Sequence, residues 1–128
     1  MKNLIVDATR DKIFLTLIFS ENIYTCSHEN SKINFEKLII LINDFLENNK
    51  SSLNKINTIY VNRGPGSFAG IRNSLSIIKA LFLTKKIDYY CFSFTDFGKL
   101  SKINHKDVPY LCDKFKIKKN LINPIYLS

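Results

Sequence analysis

The sequence predicts an α/β domain built on a mixed β-sheet, and three features of the chain support this fold class. The predicted elements follow the order β-β-β-α-β-α-β-α over 128 residues, a length typical of one domain. Two segments carry apolar residues with the period of an α-helix, and the segments around them are rich in β-forming residues. Three of the four glycines fall between Gly64 and Gly70, where a predicted strand meets a predicted helix. This alternation indicates a sheet covered by helices.

The first three strands are predicted from short apolar runs separated by turn residues. Residues 4–9 (LIVDAT) form an apolar run closed by polar residues. Residues 12–19 (KIFLTLIF) contain a longer run that is broken only by Thr16. The tripeptide SEN is typical of a turn and leads into a third strand at residues 23–27 (IYTCS). Such short connections predict antiparallel pairing.

The apolar pattern changes to a helical period over residues 33–49. The stripe consists of Phe35, Leu38, Ile39, Ile42, Phe45 and Leu46. Ser31 and Asn34 are both candidates for the N-cap of this helix, since each has a short polar side chain.

The second half of the predicted sheet contains two more strands. Residues 56–62 (INTIYVN) predict a strand, and the glycine-rich stretch follows it. Residues 69–85 predict a helix, residues 89–94 (YYCFSF) a strand, and residues 95–103 a short helix.

Both long helices carry more apolar surface than one stripe requires. Ile40 and Leu41 lie off the stripe of the first helix, and Ile77, Leu81 and Leu83 lie beyond the main face of the second. Extra apolar surface on a helix is usually covered by something else. A neighbouring helix of the same chain or a partner protein would each provide that cover.

Composition and charge indicate a soluble protein of the reducing cytoplasm. The apolar runs are too short to cross a membrane, and the N-terminus lacks the pattern of a signal peptide. The three cysteines have no paired spacing, so we expect free thiols. The net charge of +8 is compatible with nucleic-acid binding, although the lysines are scattered except in residues 114–120 (KFKIKKN).

The glycine-rich loop does not match the phosphate-binding motifs of nucleotide-binding proteins. Gly64, Gly66 and Gly70 permit close backbone approach, and Ser67 can cap the helix that follows. The Gly-Lys-Ser/Thr end of a Walker loop is missing, and the glycine spacing differs from the dinucleotide fingerprint. A tight structural turn is favoured, with an anion site at the helix N-terminus as the alternative.

The histidines and cysteines do not predict a metal site. Cys26 and His28 form a single C-x-H pair, and His105 is the only other histidine. The sequence has no second pair with zinc spacing. It also lacks the pattern of a Cys–His nucleophile pair.

Taken as a whole, residues 62–72 (NRGPGSFAGIR) resemble the "GRGPGSFTGLR"-like motif of the TsaB (YeaZ) family. The opening LIVDATRDKIFLTLIF is similar to the family's first strand and hairpin, and the final NPIYLS is similar to its near-terminal "P-x-Y-L-R". The resemblance covers about residues 3–97 and the last six. The motif-loop residues are Gly64, Pro65, Gly66, Ser67, Phe68, Gly70 and Arg72.

The chain also departs from the family pattern. Ala69 replaces the usual Thr, Asn34 stands where the family often has His, and Ser74 stands where it usually has Gly. Most of the family's second lobe has no counterpart here. We therefore expect residues 1–104 to form the N-terminal lobe and residues 105–128 a short C-terminal remnant or tail.

The resemblance implies an actin-like ATPase (ASKHA) lobe with a ribonuclease-H-like sheet. It also implies a non-catalytic partner of TsaD, the enzyme that transfers the threonylcarbamoyl group to adenosine 37 of tRNA. The implied interface lies on the two long helices. From those helices we predict interface residues Leu38, Leu41, Ile71, Ser74, Ile77, Ile78 and Leu81.

Further partners and cofactors follow from the same resemblance. TsaE would join the pair, tRNA would be reached through the complex, and a homodimer would form without TsaD. Asp7 and Thr9 occupy the place where active relatives hold phosphate and magnesium, so they are candidates for cofactor binding. We expect no cofactor in the isolated chain, with ATP or ADP left to the complex. A stand-alone nucleotide-binding protein and a basic RNA-binding module are the alternative functions.

Overall fold

Five strands form one mixed sheet in the computed structural model, which describes residues 1–98 and 103–126. The strands are β1 (Lys2–Asp7), β2 (Lys12–Phe19), β3 (Asn22–Glu29), β4 (Thr58–Asn62) and β5 (Asp88–Phe92). Strands β1, β2 and β3 pair antiparallel, and β4 pairs parallel with both β1 and β5. The resulting order β3-β2-β1-β4-β5 confirms the predicted α/β class with an ASKHA-like sheet.

Strand β1 lies at the centre of the sheet and is buried on both faces. Leu4 and Val6 point to one face, and Ile5 points to the other, because side chains alternate along a strand. The continuous apolar run LIV in β1 therefore reflects burial on two sides rather than one. Two separate apolar clusters result, one on each face of the sheet.

The first face is covered by α1 (Lys32–Glu36), α2 (Leu38–Asn48) and α3 (Phe68–Lys85). The prediction of one helix over residues 33–49 is wrong, because the backbone of Lys37 leaves the helical region and separates α1 from α2. The buried residues of α2 are Leu38, Ile42, Phe45 and Leu46, whereas α1 buries none. The apolar stripe of α2 therefore stays buried, although α1 and α2 do not form one continuous helix.

Helix α3 (Phe68–Lys85) begins at the predicted cap and ends at a left-handed residue. The Ser67 hydroxyl accepts a hydrogen bond from the Gly70 N–H at 3.2 Å, which confirms Ser67 as the N-cap. Lys86 has a φ of 59° and terminates the helix. Within residues 1–98 and 103–126, no helix combines the length and apolar character needed to cross a lipid bilayer.

The second face of the sheet is covered by short elements from the C-terminal half. They are a 3-10 turn at Phe94–Phe97, a second 3-10 turn at His105–Asp107, and helix α4 (Val108–Lys114). Their buried side chains Phe97, Val108, Leu111 and Cys112 pack against Ile5, Tyr60 and Phe92 of the sheet. This second cluster gives the sheet a core on both sides.

Two sequence predictions near residue 95 differ from the structure. Strand β5 ends at Phe92 because Ser93 begins a turn, in which its own N–H is bonded to the Asp96 carboxylate at 2.8 Å. The helix predicted over residues 95–103 is a short 3-10 turn that ends at Phe97. Residues 99–102 of that prediction lie outside the described residues.

Residues 117–126 follow the edge of the sheet instead of extending into solvent. Asn120 bonds both backbone groups of Tyr89 in β5, with distances of 2.8 and 2.9 Å. Farther along, the N–H of Ile125 donates to the carbonyl of Arg63 at 2.7 Å. These contacts hold the C-terminal segment on the same sheet, and the division at residue 104 stays a prediction.

Candidate functional site

The glycine-rich loop packs directly on the end of strand β1. A Cβ atom on Gly66 would overlap the carbonyl oxygen of Thr9, and one on Gly70 would overlap that of Ala8. The N–H of Ser67 also donates to the Thr9 carbonyl at 2.8 Å. The two glycines therefore allow two backbone segments to touch, and this explains their concentration in one loop.

The C-terminal segment seals the other side of this loop. Gly64 has a φ of 109°, and a Cβ there would overlap the carbonyl oxygen of Ile125. The Gly64–Pro65 peptide bond is cis. The Phe68 ring lies 4.7 Å from the Tyr126 ring, measured between centroids. The loop is thus enclosed by β1 on one side and by residues 125–126 on the other.

Three backbone N–H groups of the loop are bonded within the protein. Gly64 donates to the Asn62 side chain at 2.9 Å, Ser67 donates to Thr9, and Gly70 donates to the Ser67 hydroxyl. An anion site at a helix N-terminus needs such N–H groups free to point at the ligand. The arrangement favours the structural turn over the phosphate site.

Asp7 is the centre of a buried hydrogen-bond network at the end of β1. Its Oδ1 accepts from the N–H and the hydroxyl of Thr9, at 3.1 and 2.7 Å. Its Oδ2 is 3.0 Å from Asn62 Nδ2 and 2.8 Å from His105 Nε2. The side chain of Asp7 is only 3% exposed, so these four contacts replace solvent.

The network also sets the ionisation of Asp7. Burial raises the pKa of the Asp7 carboxyl, but hydrogen bonds from His105 and Thr9 outweigh burial, and the pKa lies below its ordinary value. An ionised carboxylate only accepts hydrogen bonds, so His105 must carry its proton on Nε2. The imidazole therefore donates to Asp7 at neutral pH.

The ASKHA-like fold implies a magnesium nucleotide near Asp7, and the residues present do not fit one. A carboxylate has about four lone-pair positions, and all four are taken by Thr9, Asn62 and His105. The neighbouring cavity of about 460 Å³ has Arg10 and Asn104 on its wall but takes its carboxylate from this saturated Asp7 alone. We therefore derive no nucleotide chemistry here, and cofactor binding by Asp7 and Thr9 stays a prediction.

The predicted interface residues divide into core and surface positions. Leu38, Ile71, Ser74, Ile78 and Leu81 are buried in the chain's own core. Leu41 and Ile77 are partly exposed at the surface of that core. The five buried residues hold the helices in place, so a direct contact with a partner would come from their neighbours.

Those neighbours form an apolar surface on the three helices of the first face. Its exposed members are Ile33 on α1, Ile40 on α2 and Leu83 on α3, together with the partly exposed Leu41 and Ile77. We call this set the helix surface. Small exposed residues of α3, namely Ala69, Ser76 and Ala80, would allow a second chain to approach closely.

Arg72 lies at the edge of this region in the first turns of α3. Its side chain is exposed and lines a shallow groove with Ile122, Pro124 and Tyr126 of the C-terminal segment. Over residues 1–98 and 103–126, Arg72 makes no ion pair. A cation near a helix N-terminus opposes the helix dipole, so Arg72 gains no stabilisation from its own helix at this position.

The thiols and histidines form no metal centre in the part of the chain that the structure describes. Cys26 Sγ lies 3.8 Å from His28 Nε2, and no third ligand joins them. Burial raises the pKa of Cys91 and of Cys112 to about 12, so both thiols are protonated at neutral pH.

Two contacts that shape this region were missed by sequence reasoning. His105 reaches Asp7 across 98 residues, and Arg63 forms a two-point ion pair with Asp96 at 2.6 and 3.3 Å. The Arg63 guanidinium also donates to the Asn123 carbonyl, so it joins three segments. The sequence signal available was a polar residue at the end of two of the parallel strands, Asp7 in β1 and Asn62 in β4.

Comparison with known proteins agrees with this architecture. Residues 28–96, just over half of the chain, match the family model "TsaD: tRNA N6-adenosine threonylcarbamoyltransferase". The tRNA threonylcarbamoyladenosine biosynthesis protein TsaB of Buchnera aphidicola subsp. Baizongia pistaciae is 35% identical over 80 residues. That alignment covers 52% of this chain and 36% of the relative. The TsaB of Buchnera aphidicola subsp. Schizaphis graminum is 31% identical over 90 residues, or 70% of this chain and 43% of the relative.

The solved structure of YeaZ from Pseudomonas aeruginosa has the same fold. It superposes with a TM-score of 0.66 and 18% identity, over 72% of this chain and 43% of YeaZ. The chain thus spans about two-fifths of the length of the proteins it matches.

Proposed function

Because the chain belongs to the TsaB/YeaZ family, we propose that it is a non-catalytic partner of TsaD in the threonylcarbamoylation of adenosine 37 of tRNA. The observation that carries the proposal is the helix surface. It is apolar, it lies on the face of the sheet that the family resemblance assigns to TsaD, and nothing else in the described chain covers it.

The make-up of the helix surface suits a protein interface. Apolar residues lie among charged and polar ones, which include Asp44 and Glu47 on α2 and Lys79 on α3. Interfaces commonly combine an apolar centre with a polar rim. The buried residues behind it keep the three helices rigid, which lowers the entropic cost of association.

A scaffold role also agrees with the saturated Asp7. The Asp7 carboxylate is bonded to Thr9, Asn62 and His105, so its oxygens are already engaged within the protein. The proposal therefore leaves nucleotide binding and group transfer to TsaD. It extends to TsaE as a third component that joins the pair, and to a homodimer through the helix surface when TsaD is absent.

The test is co-purification of this chain with TsaD of the same organism by size-exclusion chromatography. We expect a complex with the wild-type chain, and its loss with Ala80→Arg, which places a long cation on the exposed side of α3. Thr25→Arg on β3 is the matched control, because Thr25 is also exposed but lies away from the helices. A folded wild-type chain that elutes apart from TsaD would contradict the proposal.

A further inference from the structure

The positive charge of this protein is concentrated in its second part. Residues 1–48 contain five basic and seven acidic residues, whereas residues 49–128 contain fourteen basic and four acidic residues. The whole surplus of +8 therefore comes from the second part of the chain. An even, composition-wide lysine bias would have placed part of that surplus in the first 48 residues.

The structure places several of these lysines on one ordered element. The 3-10 turn at His105–Asp107 runs directly into α4, and the backbone of Ile117 then bonds the Cys112 carbonyl at 2.9 Å. Val108, Leu111 and Cys112 are buried beneath this element, so its outer side is fixed relative to the sheet. Apart from Asp113, the exposed residues of this element are Lys106, Tyr110, Lys114, Phe115, Lys116 and Lys118, and we call these six the basic–aromatic stripe.

Two aromatic rings interrupt the lysines of the stripe. Tyr110 is 66% exposed, and it lies one helical turn before Lys114, so the two side chains are neighbours. Phe115 is 38% exposed, and its ring is held 5.7 Å from the buried ring of Phe97. Lys114 Nζ lies 5.8 Å from the centre of the Phe115 ring. Tyr110 therefore adds little to the core, and Phe115 keeps more than a third of its surface open beside Lys114.

The acidic residues near the stripe do not cancel its charge. Asp107 accepts the N–H of Asn104 at 3.2 Å and so caps its own turn. Asp113 is exposed on α4 and is the one carboxylate of α4 itself. Lys119, just beyond the stripe, lies 3.6 Å from Asp88, and both side chains are about half exposed. Four lysines of the stripe face one free carboxylate.

From this arrangement we infer that the basic–aromatic stripe binds single-stranded RNA, with lysines on the phosphates and Tyr110 and Phe115 stacked on bases. Alternating cations and exposed rings are what sequence-tolerant single-strand binding requires. The bases of a duplex are stacked inside the helix, so a duplex would contact the lysines through its phosphates but would not stack on the aromatic rings. The choice of RNA as the ligand rests on the proposed function, in which the target is a tRNA loop.

The position of the stripe allows both interactions at once. The helix surface lies over the first face of the sheet, and α4 packs on the second face. A TsaD molecule bound to the helices would therefore leave the stripe open. The complex would gain an RNA contact that TsaD alone does not supply.

The experiment measures binding of a fluorescent 17-nucleotide anticodon stem-loop RNA to the full chain by anisotropy. If the lysines neutralise about four phosphates, affinity should fall ~50-fold between 50 and 200 mM salt. Tyr110→Ala should weaken binding at least ~5-fold through lost stacking, and Tyr24→Ala, an exposed tyrosine on β3, should not. The double variant Lys114→Glu, Lys116→Glu should abolish binding. The control Lys32→Glu, Lys37→Glu, which has the same net charge and lies at the two ends of α1, should not.

Three results would overturn the inference. The first is that the wild-type chain does not bind the RNA at 50 mM salt. The second is that the control Lys32→Glu, Lys37→Glu loses as much RNA affinity as the Lys114→Glu, Lys116→Glu variant. The third is that Tyr110→Ala binds the RNA with wild-type affinity. Co-elution of each variant with TsaD is measured in parallel. A wild-type chain that forms the complex but binds no RNA would overturn the stripe alone, whereas a wild-type chain that binds RNA but forms no complex would overturn the proposed function alone.

Discussion

At the scale of single residues, the contact between His105 and Asp7 ties together two distant parts of the chain at a buried carboxylate. It joins the 3-10 turn at His105–Asp107 to the central strand β1. Its removal would leave a buried oxygen of the Asp7 carboxylate short of one hydrogen-bond donor. Leaving a buried acceptor unpaired costs about 1–3 kcal/mol. The pair therefore contributes to the stability of the whole domain.

The first prediction concerns that pair. His105→Ala should lower the free energy of unfolding by about 1–3 kcal/mol, because Asp7 loses a donor in a buried site. Urea denaturation followed by circular dichroism measures the change. His28→Ala is the control, since His28 has only a 3.8 Å contact with Cys26 and should cost less than about 0.5 kcal/mol. Equal midpoints for the two variants would contradict the role given to His105.

A second prediction follows from the ionisation of Asp7. The folded pKa of Asp7 lies below its value in the unfolded chain. Its contribution to stability is therefore complete above the unfolded pKa of about 3.9 and is lost as the pH falls through the folded pKa.

The groups that face Asp7 are Thr9, Asn62 and His105, and Arg10 lines the adjoining cavity. Urea midpoints at pH 5, 3.5 and 2 should fall more steeply for the wild type than for Asp7→Asn, because this range spans the loss of the Asp7 contribution. The exposed substitution Asp44→Asn should keep the wild-type slope. If the urea midpoint of Asp7→Asn fell with pH as steeply as that of the wild type, the pH dependence would not come from Asp7.

The glycine loop yields a third prediction at the same scale. Gly70→Ala should destabilise the domain by several kcal/mol or prevent folding, because its Cβ would overlap the Ala8 carbonyl of β1. Ser76→Ala, on the exposed side of the same helix, should change stability by less than about 0.5 kcal/mol. Thermal unfolding of both variants measures the difference, and a neutral Gly70→Ala would show that the loop does not need this close approach.

Sequence reasoning was sound at the residue scale wherever a role depended on local chain geometry. Ser67 was identified as a cap from its place before an apolar helix, and the structure confirms it. His105 could not be assigned to Asp7, because nothing local to residue 105 records a partner 98 positions away. Arg63 and Asp96 were missed for the same reason.

At the scale of elements, strands and helices were predicted well, and their ends less well. All five strands and the helix that begins at Phe68 exist near the predicted positions. The break at Lys37 was missed because the apolar stripe continues through it. The stripe indicates the helical period, but it does not predict the backbone angles of a single residue. Strand β5 ended early because the capping box of Ser93 and Asp96 ends the strand while its apolar pattern continues to Phe94.

The N-terminus of α3 provides the prediction for this scale. Ser67→Ala removes the hydroxyl that accepts the Gly70 N–H, which should cost about 1 kcal/mol. Ser67→Asp should restore most of that loss, because a carboxylate both caps the helix and favours its N-terminal dipole. Chemical denaturation measures both variants. Equal stability of all three proteins would mean that the cap contributes nothing.

At the scale of the whole molecule, the protein has a sheet with a core on each side. The helices α1, α2 and α3 supply one core, and the segment from Ile103 to Phe115 supplies much of the other. The second core was not predicted, because residues 105–128 were expected to form a short remnant or tail and their apolar residues lack a clear period. The apolar residues of this segment form a core only together with Ile5, Tyr60 and Phe92 of the sheet.

The central claim is that the helix surface binds TsaD, and the dissociation constant of that complex tests it most directly. Isothermal titration would compare the wild-type chain with Ile40→Asp on α2 and with Ile23→Asp on β3, whose wild-type isoleucines are 53% and 45% exposed. We predict binding that Ile40→Asp weakens at least ~30-fold, the loss expected of an interface hot spot, and that Ile23→Asp leaves intact. Equal affinities for the two variants, or no binding by the folded wild-type chain, would contradict the account.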